Sequence, residues 1–121
     1  MITKADIRKA DSSHSFGMTC YGALASLITL GSDGWVYSDA SGKGRGEAFK
    51  VDVVDTTGAG DVFHGAFAYG MATGWDTRKS CEFAAAVAAI KCTKRGGRMG
   101  IPTLEQAMEF LEAQESPNWR V

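Results

Sequence analysis

The sequence holds 121 residues, 45% hydrophobic and 22% charged, with a formal net charge of −1. That is a globular composition, long enough for one domain with a modest core, and it excludes an intrinsically disordered chain. So small a net charge gives no electrostatic reason to expect nucleic acid or an anionic membrane as a partner.

In chain order, residues 1–17 are polar and weakly patterned, and read as a short helix followed by the loose segment "DSSHSFG". Cys20–Ser26 is expected to finish a helix leading into "LITL", Leu27–Leu30. That apolar run is short, partly β-branched and stopped by Gly31, the pattern of a buried strand. "WVYSDA", Trp35–Ala40, reads as a second strand, "SGKGRG", Ser41–Gly46, as a turn, and "EAFKVDVVD", Glu47–Asp55, as a third strand. The short separations favour antiparallel, hairpin-like connections.

"DVFHGAFAYGMATG", Asp61–Gly74, is apolar almost all round, so a helix buried on most sides is expected, ended by Gly74. Asp76 can cap a long helix running to about Thr93, with Phe83, Val87 and Ile90 on one face and an alanine-rich surface that permits close backbone approach. "KRGGRMGIP" reads as a glycine-rich loop. Thr103 and Gln106 match a capping box, opening a last helix with Leu104, Met108 and Leu111 on one face. Strands thus precede helices. Three strands leave too little surface to cover the central helix, so the chain is expected to be part of a larger α/β sheet protein or an obligate oligomer.

The chemistry concentrates in "DTTGAGD", Asp55–Asp61, between the third expected strand and the central helix. Small residues let successive N–H groups converge, and the first N–H groups of a helix have no intrahelical partner. With the helix dipole they form an anion site suited to phosphate. Asp61 has two readings: an N-cap, or a general base taking a proton from an attacking hydroxyl. Asp55 and Thr56 are turn formers or tie down a cation. The Walker A pattern fails, because Gly42-Lys43 is followed by Gly44; the dinucleotide fingerprint fails because Phe63 stands at the third glycine position.

"VDVVDTTGAGDVFHGAF", Val51–Phe67, resembles the C-terminal signature of the PfkB, or ribokinase-like, carbohydrate kinases. "ITLGSDG", Ile28–Gly34, is similar to that family's strand and nucleotide-binding turn, and Phe83–Leu111 to its closing helix, cation loop and final helix. The resemblance spans about 27–111, leaving 1–26 as an N-terminal segment without a clear pattern and 112–121 as a tail. It implies a partial ribokinase-like α/β fold: the C-terminal strands and three helices, without the N-terminal sheet half and lid.

The resemblance further implies transfer of the ATP γ-phosphoryl group to a hydroxyl of a sugar or sugar phosphate, with Mg2+ accompanying ATP. Asp61 would be the base, and the amides of Gly58, Ala59, Gly60 and Asp61 the anion hole. Thr29, Gly31, Ser32, Asp33 and Gly34 would lie along the nucleotide. Asp55 and Thr57 match positions that hold a monovalent cation such as K+, completed by backbone oxygens near Lys91, Lys94 and Gly96, with Gly100 beside them. Ala85 stands where many members carry Asn or His beside the adenine. A second reading is a catalytically silent nucleotide-binding fragment or interaction domain that needs a partner chain.

The remaining residues read more simply. His14 and His64 lack metal-ligand spacing, and Trp35, Trp75 and Trp119 are packing groups. Lys94, Arg95 and Arg98 form a solvated loop or steer ATP. Glu105, Glu109, Glu112 and Glu115 face solvent. Cys20, Cys81 and Cys92 lack C-x-x-C spacing and are expected as buried thiols in a reducing compartment. No run reaches the roughly 18 apolar residues of a membrane span, and residues 1–18 have no signal core, so the cytoplasm is the expected location.

Overall fold

The computed structural model describes residues 17–21, 25–96 and 100–114. The chain divides into two compact units between Ala48 and Phe49. The helix expected within residues 1–17, His14, Arg98, Glu115 and Trp119 lie outside the described residues.

The first unit is an antiparallel sheet of β1 (Gly17–Tyr21), β2 (Ala25–Thr29), β3 (Trp35–Asp39) and β4 (Gly42–Gly46), each strand beside its sequence neighbour. Leu27 pairs with Tyr37, and Val36 with Arg45. Ile28, Leu30 and Val36 pack into a buried cluster. The hairpin connections follow the sequence reading, but two elements differ from it. Cys20 and Tyr21 end β1 and Ala25 and Ser26 begin β2, where a helix is expected. Their backbone groups pair instead, Cys20 with Ser26 and Tyr21 with Ala25.

The second difference is β4, five residues of "GKGRG" that read as a turn. Its strand character comes from its neighbour. A Cβ at Gly44 would lie 2.7 Å from Cε1 of Tyr37, and one at Gly46 would strike the Trp35 ring. The aromatic rings lie across the glycines and give the strand the cover its own side chains lack.

In the second unit, α1 (Ala59–Thr73), α2 (Thr77–Cys92) and α3 (Leu104–Ala113) follow an irregular segment. Helix ends obey the expected local chemistry. Gly74 closes α1 in the left-handed conformation, at φ 97°. Asp76 Oδ1 accepts the Lys79 N–H at 2.7 Å. Thr103 Oγ1 accepts the Gln106 N–H at 3.2 Å, while Gln106 Oε1 accepts the Thr103 N–H at 2.9 Å. The core joins Phe83, Ala86 and Val87 of α2 to Ala107 and Leu111 of α3, with Phe49, Val62, Ala66, Trp75 and Phe110 packed against it. The Phe49 and Phe110 rings meet edge to face at 5.2 Å.

Three expectations are corrected here. Glu47–Asp55 forms no strand: the N–H groups of Val54 and Asp55 both donate to the Cys92 carbonyl, at 2.7 and 3.1 Å, instead of to a ladder. α1 is not buried on most sides. Phe63, Phe67 and Gly70 are buried, but Asp61, Gly65, Tyr69 and Ala72 form an exposed stripe at helical spacing. The glycine and alanine in that stripe count as apolar in a sequence yet carry little surface to bury. On α3 the buried positions are Ala107 and Leu111, while Leu104 is exposed. Among the described residues, no helix is long and apolar enough to cross a membrane.

Candidate active site

The second unit brings together the loop Asp55–Gly58, the start of α1, the last turn of α2 and Gly96. Gly58 adopts φ 73°, left-handed, and is the N-cap of α1. Asp61 is therefore not the cap: it lies in the first turn, exposed, two residues after the helix begins. Gly58 can sit here without the roughly 1–2 kcal/mol that the left-handed region costs a residue with a Cβ.

Of the amides expected in the anion hole, Ala59 N–H is already used, donating to Thr56 O at 3.1 Å. Among the described residues, the N–H groups of Gly58, Gly60 and Asp61 have no acceptor. A Cβ at Gly58 or Gly60 would meet nothing within 4 Å. The glycines are therefore not demanded by internal packing at this point; they leave the ground above the helix N-terminus clear. Free amides, a helix dipole and open space together suit an anion. Three residues after Asp61, His64 is half-buried. Burial pushes its imidazole below the ordinary value, opposed by the charge of Asp61.

Asp55 is a different kind of residue. Oδ1 accepts the Thr57 N–H at 2.9 Å, and Oδ2 accepts the Gly96 N–H at 2.9 Å. Its carbonyl accepts Lys91 Nζ at 3.0 Å. The Thr57 hydroxyl contributes most to holding the Asp55 carboxyl far below the usual carboxylate range, followed by the Gly96 and Thr57 amides and, last, the Lys91 charge. Lys91 is wholly buried. Gly100 lies against it: a Cβ there would come within 2.7 Å of the Lys91 carbonyl oxygen. That oxygen accepts the Lys94 N–H at 3.1 Å. Sequence reasoning assigned Lys91 through its backbone and missed the side chain; an apolar helix face continuing through a lysine was the available signal.

The lowered pKa of Asp55 has a pH consequence. A carboxyl held down in the folded chain stabilises fully above its unfolded value, near pH ~4, and loses that contribution as pH falls toward the folded value. Asp55→Asn is expected to melt below wild type at pH 7, with the gap narrowing as pH drops below about 4. Melting curves across that range check this, and a gap that stays constant at acid pH would contradict it.

In the first unit, the turn after β2 gathers Thr29, Gly31, Ser32, Asp33 and Gly34. Gly31–Asp33 is a 3-10 turn, closed by Leu30 N–H to Gly34 O at 2.8 Å and Gly34 N–H to Gly31 O at 3.2 Å. Thr29 is buried, whereas Gly31 and Asp33 are exposed. Gly34 is buried, and a Cβ there would run into Gly46 O and lie 2.8 Å from the Glu47 Cα. Its missing side chain answers to the sheet itself.

Each unit thus carries one glycine-rich feature: a strand-end turn in the first and a cleared helix N-terminus in the second. Comparison with known sequences is more specific: the model of the pfkB family carbohydrate kinases matches residues 21–104. The chain belongs to that family. It is 36% identical to the ribokinase of Lactococcus lactis over 74% of this chain, and 33% identical to the 5-dehydro-2-deoxygluconokinase of Bacillus subtilis over 78%. In both cases it spans 30% of the relative's length. The ribokinase of Arabidopsis thaliana, solved with ribose and ATP, superposes with a TM-score of 0.68 at 32% identity, over 71% of this chain and 28% of that one. The fold is thus a partial ribokinase-like α/β fold, strands followed by three helices.

Proposed function

We propose that this chain carries the phosphate loop and base of an ATP-dependent kinase acting on a sugar or sugar-phosphate hydroxyl. The single observation behind the reading is the start of α1. Acceptor-free amides of Gly58, Gly60 and Asp61 surround cleared space, with the Asp61 carboxylate exposed at its rim. In the reaction, the acceptor oxygen attacks the γ-phosphorus, the bond to the bridging oxygen of ADP breaks, and the hydroxyl proton passes to Asp61. The amides face the charge on the transferring group, where preorganised donors are most effective. Thr29 and Gly31–Asp33 line the nucleotide. Mg2+ arriving with ATP neutralises charge on the phosphates.

The family and its relatives' names support a carbohydrate acceptor, and their range, from ribose to a deoxygluconate, leaves the particular sugar to experiment. A second reading is that this chain binds nucleotide without turnover by itself; it spans 30% of the length of the relatives it matches. ADP release against a sugar panel, run beside calorimetric ATP titration, separates the two. Turnover carries the first reading, binding without turnover carries the second, and no ATP binding defeats both.

A further inference from the structure

The family resemblance implies a monovalent cation held by Asp55, Thr57 and the backbone around Lys91 and Gly96. The residues present do not fit one. We propose instead that the side-chain ammonium of Lys91 is the built-in replacement for that cation, so that this chain orders its phosphate loop without K+.

Three observations carry this. Lys91 is 0% exposed, and its Nζ donates to the Asp55 carbonyl at 3.0 Å, an oxygen of the loop that a cation would otherwise draw in. The ammonium has the charge of K+ and a similar size, and it donates hydrogen bonds to oxygens that would coordinate the ion. Next, three of the other oxygens already accept hydrogen bonds. Both Asp55 carboxylate oxygens accept backbone N–H groups, from Thr57 and Gly96, and the Lys91 carbonyl accepts the Lys94 N–H. Finally, the Lys91 charge reaches the Asp55 carboxylate, though it counts for less there than the hydrogen bonds from Thr57 and Gly96. A second cation beside a buried ammonium would meet like-charge repulsion in a medium that screens it poorly. Lys91 extends from the last turn of α2, where a basic side chain also complements the helix dipole.

The inference rests on the family's expectation of a cation and not on the phosphoryl-transfer reading, so its test uses nucleotide-free protein and no turnover. Melting is measured in KCl, NaCl and choline chloride at equal ionic strength. The wild-type melts are expected to coincide. Lys91→Met is expected to melt lower by about 4–8 °C in choline chloride, and to regain part of that loss in KCl, where the vacated position can accept the ion. A K+-specific rise in the wild type would overturn the proposal, and so would a Lys91→Met melt equal to wild type. Should the variant fold in none of the salts, the wild-type comparison decides alone.

Discussion

Asp61→Asn is expected to lower the turnover of an active kinase carrying this segment by about 10²–10⁴-fold. The substitution keeps side-chain size and leaves the amides of α1 in place, but removes the proton acceptor. Asp61 accepts no hydrogen bond among the described residues and is exposed, so its structural contribution is limited to the helix dipole, about 0.3–1 kcal/mol. Stability and ATP affinity should therefore barely move while turnover collapses. Coupled ADP release and calorimetry read the two quantities separately. Near-normal turnover would remove Asp61 from the chemistry, and a matching loss of ATP affinity would make it a binding residue instead.

Gly34→Ala should be the most damaging single change in the sheet. Gly34 sits at φ 96° and ψ −135°, a region almost reserved for glycine, where an alanine costs about 1–3 kcal/mol. Its new methyl would also run into Gly46 O and the Glu47 backbone. Backbone cannot rotate away as a side chain can, so overpacking adds about 1–3 kcal/mol. Together these would consume much of the margin of a small domain. Amide hydrogen exchange across β2, β3 and β4 is the direct measurement, with protection of Trp35–Asp39 expected to fall first. Unchanged exchange would show that the turn relaxes freely.

These cases also show what the sequence made legible. Helix ends were readable because their causes are local: Asp76 reaches Lys79 three residues on, and Thr103 and Gln106 cap one another across the same spacing. The helix start after "DTTG" was readable to within two residues, because a left-handed glycine before an apolar run means a helix N-terminus in any context; the helix begins at Ala59 and not near Asp61. β4 was not, since "GKGRG" carries no apolar alternation and takes its cover from Trp35 and Tyr37 on the neighbouring strand. Glu47–Asp55 misled in the opposite sense. Its alternation is real, but Val54 and Asp55 spend their donors on a single carbonyl at the end of α2. The Lys91 side chain was not read from the sequence, because a basic residue is ordinarily on the surface; its Nζ partner at Asp55 O accompanies its burial.

That partner has a mechanical meaning. The N–H, the carbonyl and both carboxylate oxygens of Asp55 are all engaged, with Cys92, Lys91, Thr57 and Gly96. The loop Asp55–Gly58 is consequently pinned at its entrance to the far end of α2, and at its exit it is continuous with α1. A tug on the loop from any bound group is passed to both helices at once. The loop then behaves as a rivet through two beams, its position set by their separation and not by its own supple glycines.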